Sequence, residues 1–271
     1  MIIPNKDHTE DLDKCIRSIE EKGTYKNIEY IVIENNSQKK ETFAYYEKLQ
    51  AENPKVKVVF WEREFNYSAI NNYGVGFAKG EYLLFLNNDT EIINPDCIEE
   101  LLGYCMRDDV GIVGARLYYE DDTIQHVGVI IGLGGVAGHT FVGEPKDSLG
   151  YFGRIVTAQD YSAVTAACLM TKRKVFEKVN GFEEKLAVAF NDVDFCLKVR
   201  EAGYLVVYNP YAELHHYESK SRGLEDTEEK VLRFQGEIRT FQYRWKEILN
   251  EGDPYYSPNL TLDKTDFSLR I

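Results

Sequence analysis

An apolar run that ends in an acidic turn is the first place where this sequence could do chemistry. Tyr82 to Leu86 are apolar and favour a buried strand, and Asn87, Asn88 and Asp89 follow at once. In open α/β sheets ligands bind at the carboxyl ends of the strands, and carboxylate oxygens suit Mg²⁺ or Mn²⁺. Asp89 is therefore a candidate metal ligand, although this segment is also ordinary turn chemistry.

Two more polar positions follow predicted strands. Glu34 comes after the strand predicted at 29–33, and His215 and His216 follow the late strand predicted at 204–208. A carboxylate and an imidazole together can hold a divalent cation, which can neutralise a diphosphate. The alternatives are that Glu34 is an exposed loop acid and that the histidines are a strand-end pair with one ring packed inside.

Two further segments could supply a base and an anion clamp. Asp192 and Asp194 open a predicted helix, where a carboxylate could take a proton from a hydroxyl or could simply cap the helix. The segment 219–223 carries hydroxyls and Arg222 before a glycine, which suits phosphate but also a solvated loop. Together the clusters fit transfer from a nucleotide diphosphate donor to a hydroxyl.

Strands that alternate with helices must position these residues. The alternation favours an α/β fold with parallel βαβ units, whose strand ends meet at one edge of the sheet. The pattern predicts strands at 2–3, 29–33, 55–60, 82–86, 110–114, 163–171 and 204–208, and helices near 12–19, 40–52, 67–78, 95–106, 172–179, 190–203 and 225–249. Residues 115–160 are the least patterned and favour loops and hairpins.

Composition narrows the class of partner. The chain has 271 residues and a net charge of −13, which argues against nonspecific binding of nucleic acid. It has no apolar run of transmembrane length, and its five cysteines lack metal spacing, which predicts reduced thiols in a cytosolic protein. The first predicted strand has only two or three residues because Met1 directly precedes it, so we expect a longer natural chain.

Two common nucleotide-binding motifs are absent from the sequence. There is no GxxxxGK[ST], and no GxGxxG opens a helix after the first strand, so neither a P-loop nor a dinucleotide fold is expected.

Several stretches resemble the family 2 inverting glycosyltransferases of the GT-A fold, especially bacterial enzymes that build O-antigen or rhamnan polysaccharides. The matching stretches are IIPNKD (2–7), YIVIENNS (30–37), NNYGVGFAKGEYLLFLNNDTEI (71–92), AVTAACLMTKRKVFEKVNGFEEK (163–185), FNDVDFCLKVREAGY (190–204) and HHYESKSRG (215–223). The resemblance implies a transferase domain at 1–223, with a mostly parallel central sheet flanked by helices, and a C-terminal helical extension at 224–271.

The resemblance also implies roles for individual residues. The donor-binding residues would be Pro4, Asn5, Glu34, Asn87, Asn88 and Arg222, with Glu34 reading the nucleoside and Arg222 meeting the diphosphate. Asp89 and His216, with His215 as the alternative, would bind Mg²⁺ or Mn²⁺. Asp192, with Asp194 as the alternative, would be the general base. Asn87 and Asn191 replace acids that are usual in the family.

The implied reaction is a direct displacement. Asp192 would deprotonate an acceptor hydroxyl, which attacks the anomeric carbon from the face opposite the leaving nucleotide. The expected donor is a UDP-, dTDP- or GDP-sugar, and the acceptor a glycan or a lipid-linked glycan. The resemblance is compatible with a cytoplasmic protein at the inner face of the membrane, with a homodimer, and with additional domains.

Two other functions stay open from the sequence. A nucleotidyltransferase would also use an α/β domain and a metal, but the loop at 4–7 lacks the glycine that such a loop usually carries. A carbohydrate-binding module of the same fold without turnover is compatible with the asparagines at 87 and 191.

Overall fold

The computed structural model describes residues 1–217 and 227–270. The strands are Ile2–Asn5 (β1), Tyr30–Glu34 (β2), Val56–Phe60 (β3), Tyr82–Leu86 (β4), Thr90–Ile92 (β5), Val110–Tyr118 (β6), Ile124–His126 (β7), Val129–Ile131 (β8), Ala137–His139 (β9), Gln159–Asp160 (β10), Cys168–Lys172 (β11) and Leu205–His216 (β12). The helices are Thr9–Lys22 (α1), Lys40–Glu52 (α2), Tyr67–Val75 (α3), Cys97–Cys105 (α4), Arg173–Lys178 (α5), Asn191–Glu201 (α6), Glu228–Arg244 (α7) and Lys246–Glu251 (α8).

One central sheet organises the fold, in the order β10-β12-β6-β11-β4-β1-β2-β3. Strands β3, β2, β1 and β4 are parallel, as the alternating pattern predicts. Strand β11 enters antiparallel between β4 and β6, and β12 runs parallel to β6. The α/β prediction is confirmed, and the expectation of a mostly parallel sheet is correct for the β3-to-β4 half, whereas the other half is mixed.

Helices bury both faces of this sheet. One core cluster gathers apolar side chains from α1, α2 and α4, and the other gathers those from α3, α5, α6 and α7. The amphipathic spacing of α1 shows why, since Leu12, Ile16 and Ile19 fall on one side of the helix and are all buried. The five cysteines are free and buried.

Strand β12 is much longer than the predicted strand at 204–208. Its pairing with β6 shifts register between Asn209 and Glu213, next to Pro210, and the strand then continues to His216. Proline is tolerated at such a bulge because no ladder hydrogen bond is required there. The extension pairs antiparallel with β5, which carries the end of β12 to the turn at Asp89.

The C-terminal residues pack back on the domain. Helices α7 and α8 match the predicted helical extension, whereas 252–270 is irregular. The backbone N–H groups of Gly134 and Phe141 donate to the carbonyls of Leu262 and Thr265, so this segment covers the β8–β9 hairpin region. Within the described ranges we find no helix with the length and apolar character needed to cross a membrane.

Candidate active site

The carboxyl ends of β1, β2 and β4 form the first half of the site. Asn5 lies opposite Glu34 in the β1–β2 register. The Asn88 amide donates to Asn5 Oδ1 over 2.6 Å, and the Asn5 amide donates to the Tyr46 hydroxyl over 2.7 Å. Three strand ends and helix α2 are thus joined by one chain of side-chain hydrogen bonds.

Glu34 lies beneath this surface, with 2% of its area exposed. Ser37 donates its backbone N–H to Oε1 over 2.5 Å and its hydroxyl to Oε2 over 2.6 Å, and the Tyr46 hydroxyl donates to Oε2 over 2.6 Å. Both carboxylate oxygens are therefore engaged inside the protein, which favours support of the pocket over contact with a base. Direct reading of the nucleoside by Glu34 stays a prediction. Pro4 is half-buried beside Asn5, opposite Ile33.

Asp7, which carries no signal in the sequence, joins the loop after β1 to the start of α2. The Asp7 carboxylate accepts from the backbone N–H groups of Gln38 at 3.0 Å and Lys39 at 2.9 Å, and from the Thr42 hydroxyl at 3.1 Å. Burial alone would raise the pKa of Asp7, but these backbone hydrogen bonds outweigh it and lower the pKa. Asp7 thus caps α2 from a different loop, since Lys39 offers α2 no side-chain cap.

The metal-ligand candidates meet where β5 pairs with β12. His216 lies opposite Thr90, and its Nε2 is 3.2 Å from Asp89 Oδ1. Neighbouring strand residues face opposite sides, so His215 points away and its Nε2 lies 2.8 Å from Asp122 Oδ1. The structure places His216 beside Asp89 and separates the alternative, His215, from it.

Asn87 connects this pair to a tyrosine on α3. Its Nδ2 lies 3.1 Å from His216 Nε2, and the Tyr67 hydroxyl lies 3.4 Å from its Oδ1. The Tyr67 hydroxyl also donates to the Ala166 carbonyl over 3.0 Å.

Asp192 contacts the backbone N–H of Ala166, whose carbonyl accepts from Tyr67. It lies in the first turn of α6, as predicted, where Oδ1 accepts from the Val193 N–H at 2.8 Å and Oδ2 from the Ala166 N–H at 3.1 Å. Burial raises the pKa of Tyr67, and the negative charges of Asp192 and Asp89 raise it further. Tyr67 therefore lies within electrostatic reach of both acids.

The neighbours of Asp192 have structural contacts. The Asn191 amide donates to the Val188 carbonyl over 3.0 Å, which a glutamate could not do. Asp194 is fully buried, and its Oδ1 accepts from Trp245 Nε1 at 2.9 Å and lies 3.1 Å from Arg244 Nε. Burial raises the pKa of Asp194 despite these partners. This arrangement favours Asp192 over Asp194 as the residue that can meet an acceptor.

Helix α7 secures the segment that leads into α6. The buried Glu237 carboxylate accepts from the N–H groups of Val188 at 2.8 Å and Ala189 at 3.3 Å. Phe190 has a left-handed backbone, with φ of 60°, and its ring packs on Phe234 and Phe241 at centroid distances of 5.8 and 5.4 Å. Such a conformation is costly for a bulky residue, so α7 helps to hold it.

A divalent cation fits the donor set of Asp89 and His216. In the ranges 1–217 and 227–270 no three His, Cys, Asp or Glu side chains gather to hold a metal by themselves. One buried carboxylate oxygen and one imidazole nitrogen, 3.2 Å apart, suit an ion that takes its other ligands from phosphate and water.

The structure brings most of the predicted site residues together. Asn5, Asn87, Asn88, Asp89, His216 and Asp192 are linked through short contacts, with Pro4 and Glu34 beside them. Arg222 lies outside the described residues. Gln125 was missed: its Oε1 is 2.6 Å from His216 Nδ1, and its Nε2 donates to the His216 carbonyl over 3.1 Å. A single glutamine in an unpatterned region carries no signal in the sequence.

Comparison with known proteins identifies the family. The model of the family described as "Glycosyl transferase family 2" matches residues 1–179. The chain belongs to glycosyl transferase family 2. The resemblance inferred from its motifs is thereby confirmed.

Two curated relatives of this family 2 chain align along almost its whole length. It is 47% identical over 270 residues to the uncharacterized protein y4gI of Sinorhizobium fredii, covering 99% of this chain and 30% of that protein. It is 37% identical over 272 residues to the O-antigen biosynthesis protein RfbC of Myxococcus xanthus, covering 100% of this chain and 21% of that protein. The chain thus spans less than a third of either relative.

A solved structure shares the fold. The mannosyltransferase PcManGT of Pyrobaculum calidifontis, in complex with GDP-Man and Mn²⁺, superposes with a TM-score of 0.63 at 15% identity, covering 92% of this chain and 67% of that one. At this identity the likeness shows the fold, which is the GT-A fold that the motifs implied.

Proposed function

We propose that this family 2 chain transfers a sugar from a nucleoside diphosphate donor to an acceptor hydroxyl, with inversion at the anomeric carbon. The observation that carries the proposal is the continuous set of contacts from Asp192 through Ala166, Tyr67 and Asn87 to His216 and Asp89. It joins a candidate base to a candidate cation site in one place.

The strand ends would bind the donor. Pro4, Asn5, Glu34, Asn87 and Asn88 line or support the edge where a nucleotide would lie, and Arg222 would contact the diphosphate. Asp89 and His216 would hold Mg²⁺ or Mn²⁺, which supplies neutralisation of the negative charge that develops on the leaving diphosphate. A solved structure of similar fold holds GDP-Man and Mn²⁺, which supports a nucleotide sugar and a divalent cation as the ligands of this site.

Asp192 would act on the acceptor. Two backbone N–H groups fix its carboxylate, so little reorganisation is needed before it takes the proton of an approaching hydroxyl. Attack from the face opposite the nucleotide needs no covalent sugar intermediate. Residues 1–223 would form the transferase unit, and the helices that follow would support it.

The biological setting is proposed from the relatives. RfbC is an O-antigen biosynthesis protein, which supports a role in bacterial cell-surface polysaccharide synthesis with a glycan or lipid-linked acceptor. A cytoplasmic site at the inner face of the membrane fits such an acceptor. The remaining length of the relatives leaves room for additional domains.

Substitution of the base tests the reaction. Asp192→Asn should abolish transfer, because an amide cannot accept the proton, while donor binding stays within about threefold of the parent protein. Glu201→Gln, an exposed acid on the same helix, is the matched control and should leave transfer unchanged. Retained turnover in the Asp192→Asn protein would remove Asp192 as the base.

A binding panel identifies the donor. UDP-, dTDP- and GDP-sugars are added one at a time with Mn²⁺, and the unfolding temperature is recorded. A ligand at 100 times its Kd stabilises the protein by about 2.7 kcal/mol, which a thermal scan detects. If none of these donors stabilises the protein and none is hydrolysed, the proposal of a nucleotide-sugar transferase fails.

A further inference from the structure

The side chain of Gln125 makes a two-point contact with His216. Oε1 lies 2.6 Å from the ring nitrogen Nδ1, and Nε2 donates to the backbone carbonyl of the same histidine over 3.1 Å. Gln125 is buried, with 3% of its area exposed, on the short strand β7 that pairs with β6. One amide thus contacts both the ring and the backbone of one residue.

These two contacts define the orientation of the amide. If the amide were flipped, its oxygen would face the carbonyl oxygen of His216, and two acceptors would meet without a proton between them. The carbonyl contact therefore keeps Oε1 toward the ring. Because Oε1 can only accept, Nδ1 must carry a proton and donate it.

The opposite ring nitrogen faces the proposed cation site. His216 Nε2 lies 3.1 Å from Asn87 Nδ2, which can donate to it, and 3.2 Å from Asp89 Oδ1, which can only accept from it. The Asn87 and Gln125 contacts favour the proton on Nδ1, whereas the Asp89 contact opposes this unless a cation lies between the two groups. An amide N–H of Asn87 can donate to Nε2 only when that nitrogen has a free lone pair. A metal ion also requires an unprotonated nitrogen, and the second hydrogen bond of a metal-binding histidine commonly sets which nitrogen that is.

We propose that Gln125 is a positioning residue that locks His216 in the tautomer with the proton on Nδ1, so that Nε2 is presented to the cation beside Asp89. This inference rests on the proposed function for its metal, but the tautomer itself can be measured without metal or donor. Gln125 contacts neither substrate nor cation in this assignment and acts only through His216.

The test is nitrogen NMR of the imidazole rings in the full chain. The sequence contains five histidines, so two-bond nitrogen–proton correlation spectra of protein labelled at histidine can be assigned by substitution. At a pH where His216 is neutral, we expect the pattern of an Nδ1-protonated ring in the parent protein. We expect Gln125→Met, which has no acceptor oxygen to receive the Nδ1 proton, to lose this pattern.

A second readout connects the tautomer to metal binding. The affinity for Mn²⁺ alone, measured by electron paramagnetic resonance, should fall by roughly 10- to 100-fold in Gln125→Met, the range typical for loss of such a partner. His215→Ala is the matched control, because the His215 ring contacts Asp122 instead of the site. Circular dichroism and the unfolding temperature establish that each variant is folded.

The outcomes separate the two proposals. An Nε2-protonated ring in the parent protein, or an unchanged Nδ1-protonated ring in Gln125→Met, overturns the role of Gln125 whatever the metal does. The predicted tautomer together with no Mn²⁺ binding at all keeps the hydrogen-bond lock and removes the proposed metal role of His216. If the parent protein shows the predicted tautomer but Gln125→Met binds Mn²⁺ with equal affinity, the link between the His216 tautomer and metal binding is overturned.

Discussion

Removal of the Glu237 carboxylate should loosen the segment that precedes Asp192. Glu237 accepts from Val188 at 2.8 Å and from Ala189 at 3.3 Å. A hydrogen bond to a charged group contributes about 1.5–3 kcal/mol, and the longer contact with Ala189 less. Residues 188 and 189 are half-buried, so water can replace part of the lost hydrogen bonding. We therefore expect the free energy of local opening at these amides to fall by about 2 kcal/mol in Glu237→Ala, which corresponds to roughly 30-fold faster hydrogen exchange.

Hydrogen exchange read by mass spectrometry is the direct assay. Peptides that contain 186–192 should exchange faster in Glu237→Ala, while peptides from β1 and β2 stay unchanged. Burial raises the pKa of Glu237, so the charged form is partly disfavoured, and Glu237→Gln, which keeps one acceptor oxygen, should give an intermediate rate. Gln235→Ala is the control, because this exposed residue lies on the same helix.

Turnover gives the functional side of the same prediction. A small displacement of Asp192 should lower kcat by roughly 10- to 100-fold with a smaller change in the donor KM, because the strand ends that hold the donor lie elsewhere. Unchanged exchange at 186–192 in Glu237→Ala would refute the reasoning. Faster exchange with full kcat would show that the order of this segment is not needed for transfer.

Two further predictions concern stability. Asp7→Ala removes the cap on α2 and should cost about 1 kcal/mol, which lowers the unfolding temperature by about 2–3 °C in a thermal scan; an equal temperature would contradict the cap. Burial alone would raise the pKa of Glu91, but hydrogen bonds from Lys22, Lys14 and Tyr217 lower it from 4.5 to about 2. The contribution of Glu91 to the free energy of unfolding is therefore complete above pH 4.5 and is lost as the pH falls toward 2. In urea unfolding, the difference in this free energy between the parent protein and Glu91→Gln should therefore shrink in acid. A constant difference between the two proteins from pH 5 to pH 3 would contradict this ion cluster.

The strand ends that build the site could be predicted from the sequence for a simple reason. Each apolar run ends at a polar residue, and parallel strands bring those ends to one edge, so the pattern alone selects Glu34 and Asp89, whereas Asn5 is implied only by the family resemblance. The position of Asp192 was also predictable, because helix starts have a local signal in their first acidic residues.

In the second half of the chain, the strand pairing depends on residues that are distant in sequence, and the local pattern did not predict it. Strand β12 continues past Asn209 and Pro210 because β5 offers it a new partner, and no local pattern announces a partner more than a hundred residues away. The choice between His215 and His216 depends on that register, since a shift of one residue exchanges the faces. Ala166 contributes backbone atoms, which residue type cannot reveal.

The interior position of every cysteine has a practical consequence for studying this protein. Burial raises the pKa of the Cys15 and Cys105 thiols to about 12, and Cys97, Cys168 and Cys196 are equally enclosed. Thiolate is the species that reacts with maleimides, so the folded native chain should resist labelling. In Gln235→Cys the exposed thiol should then take up one fluorophore, and its signal would report whether α7 moves when a nucleotide sugar is added.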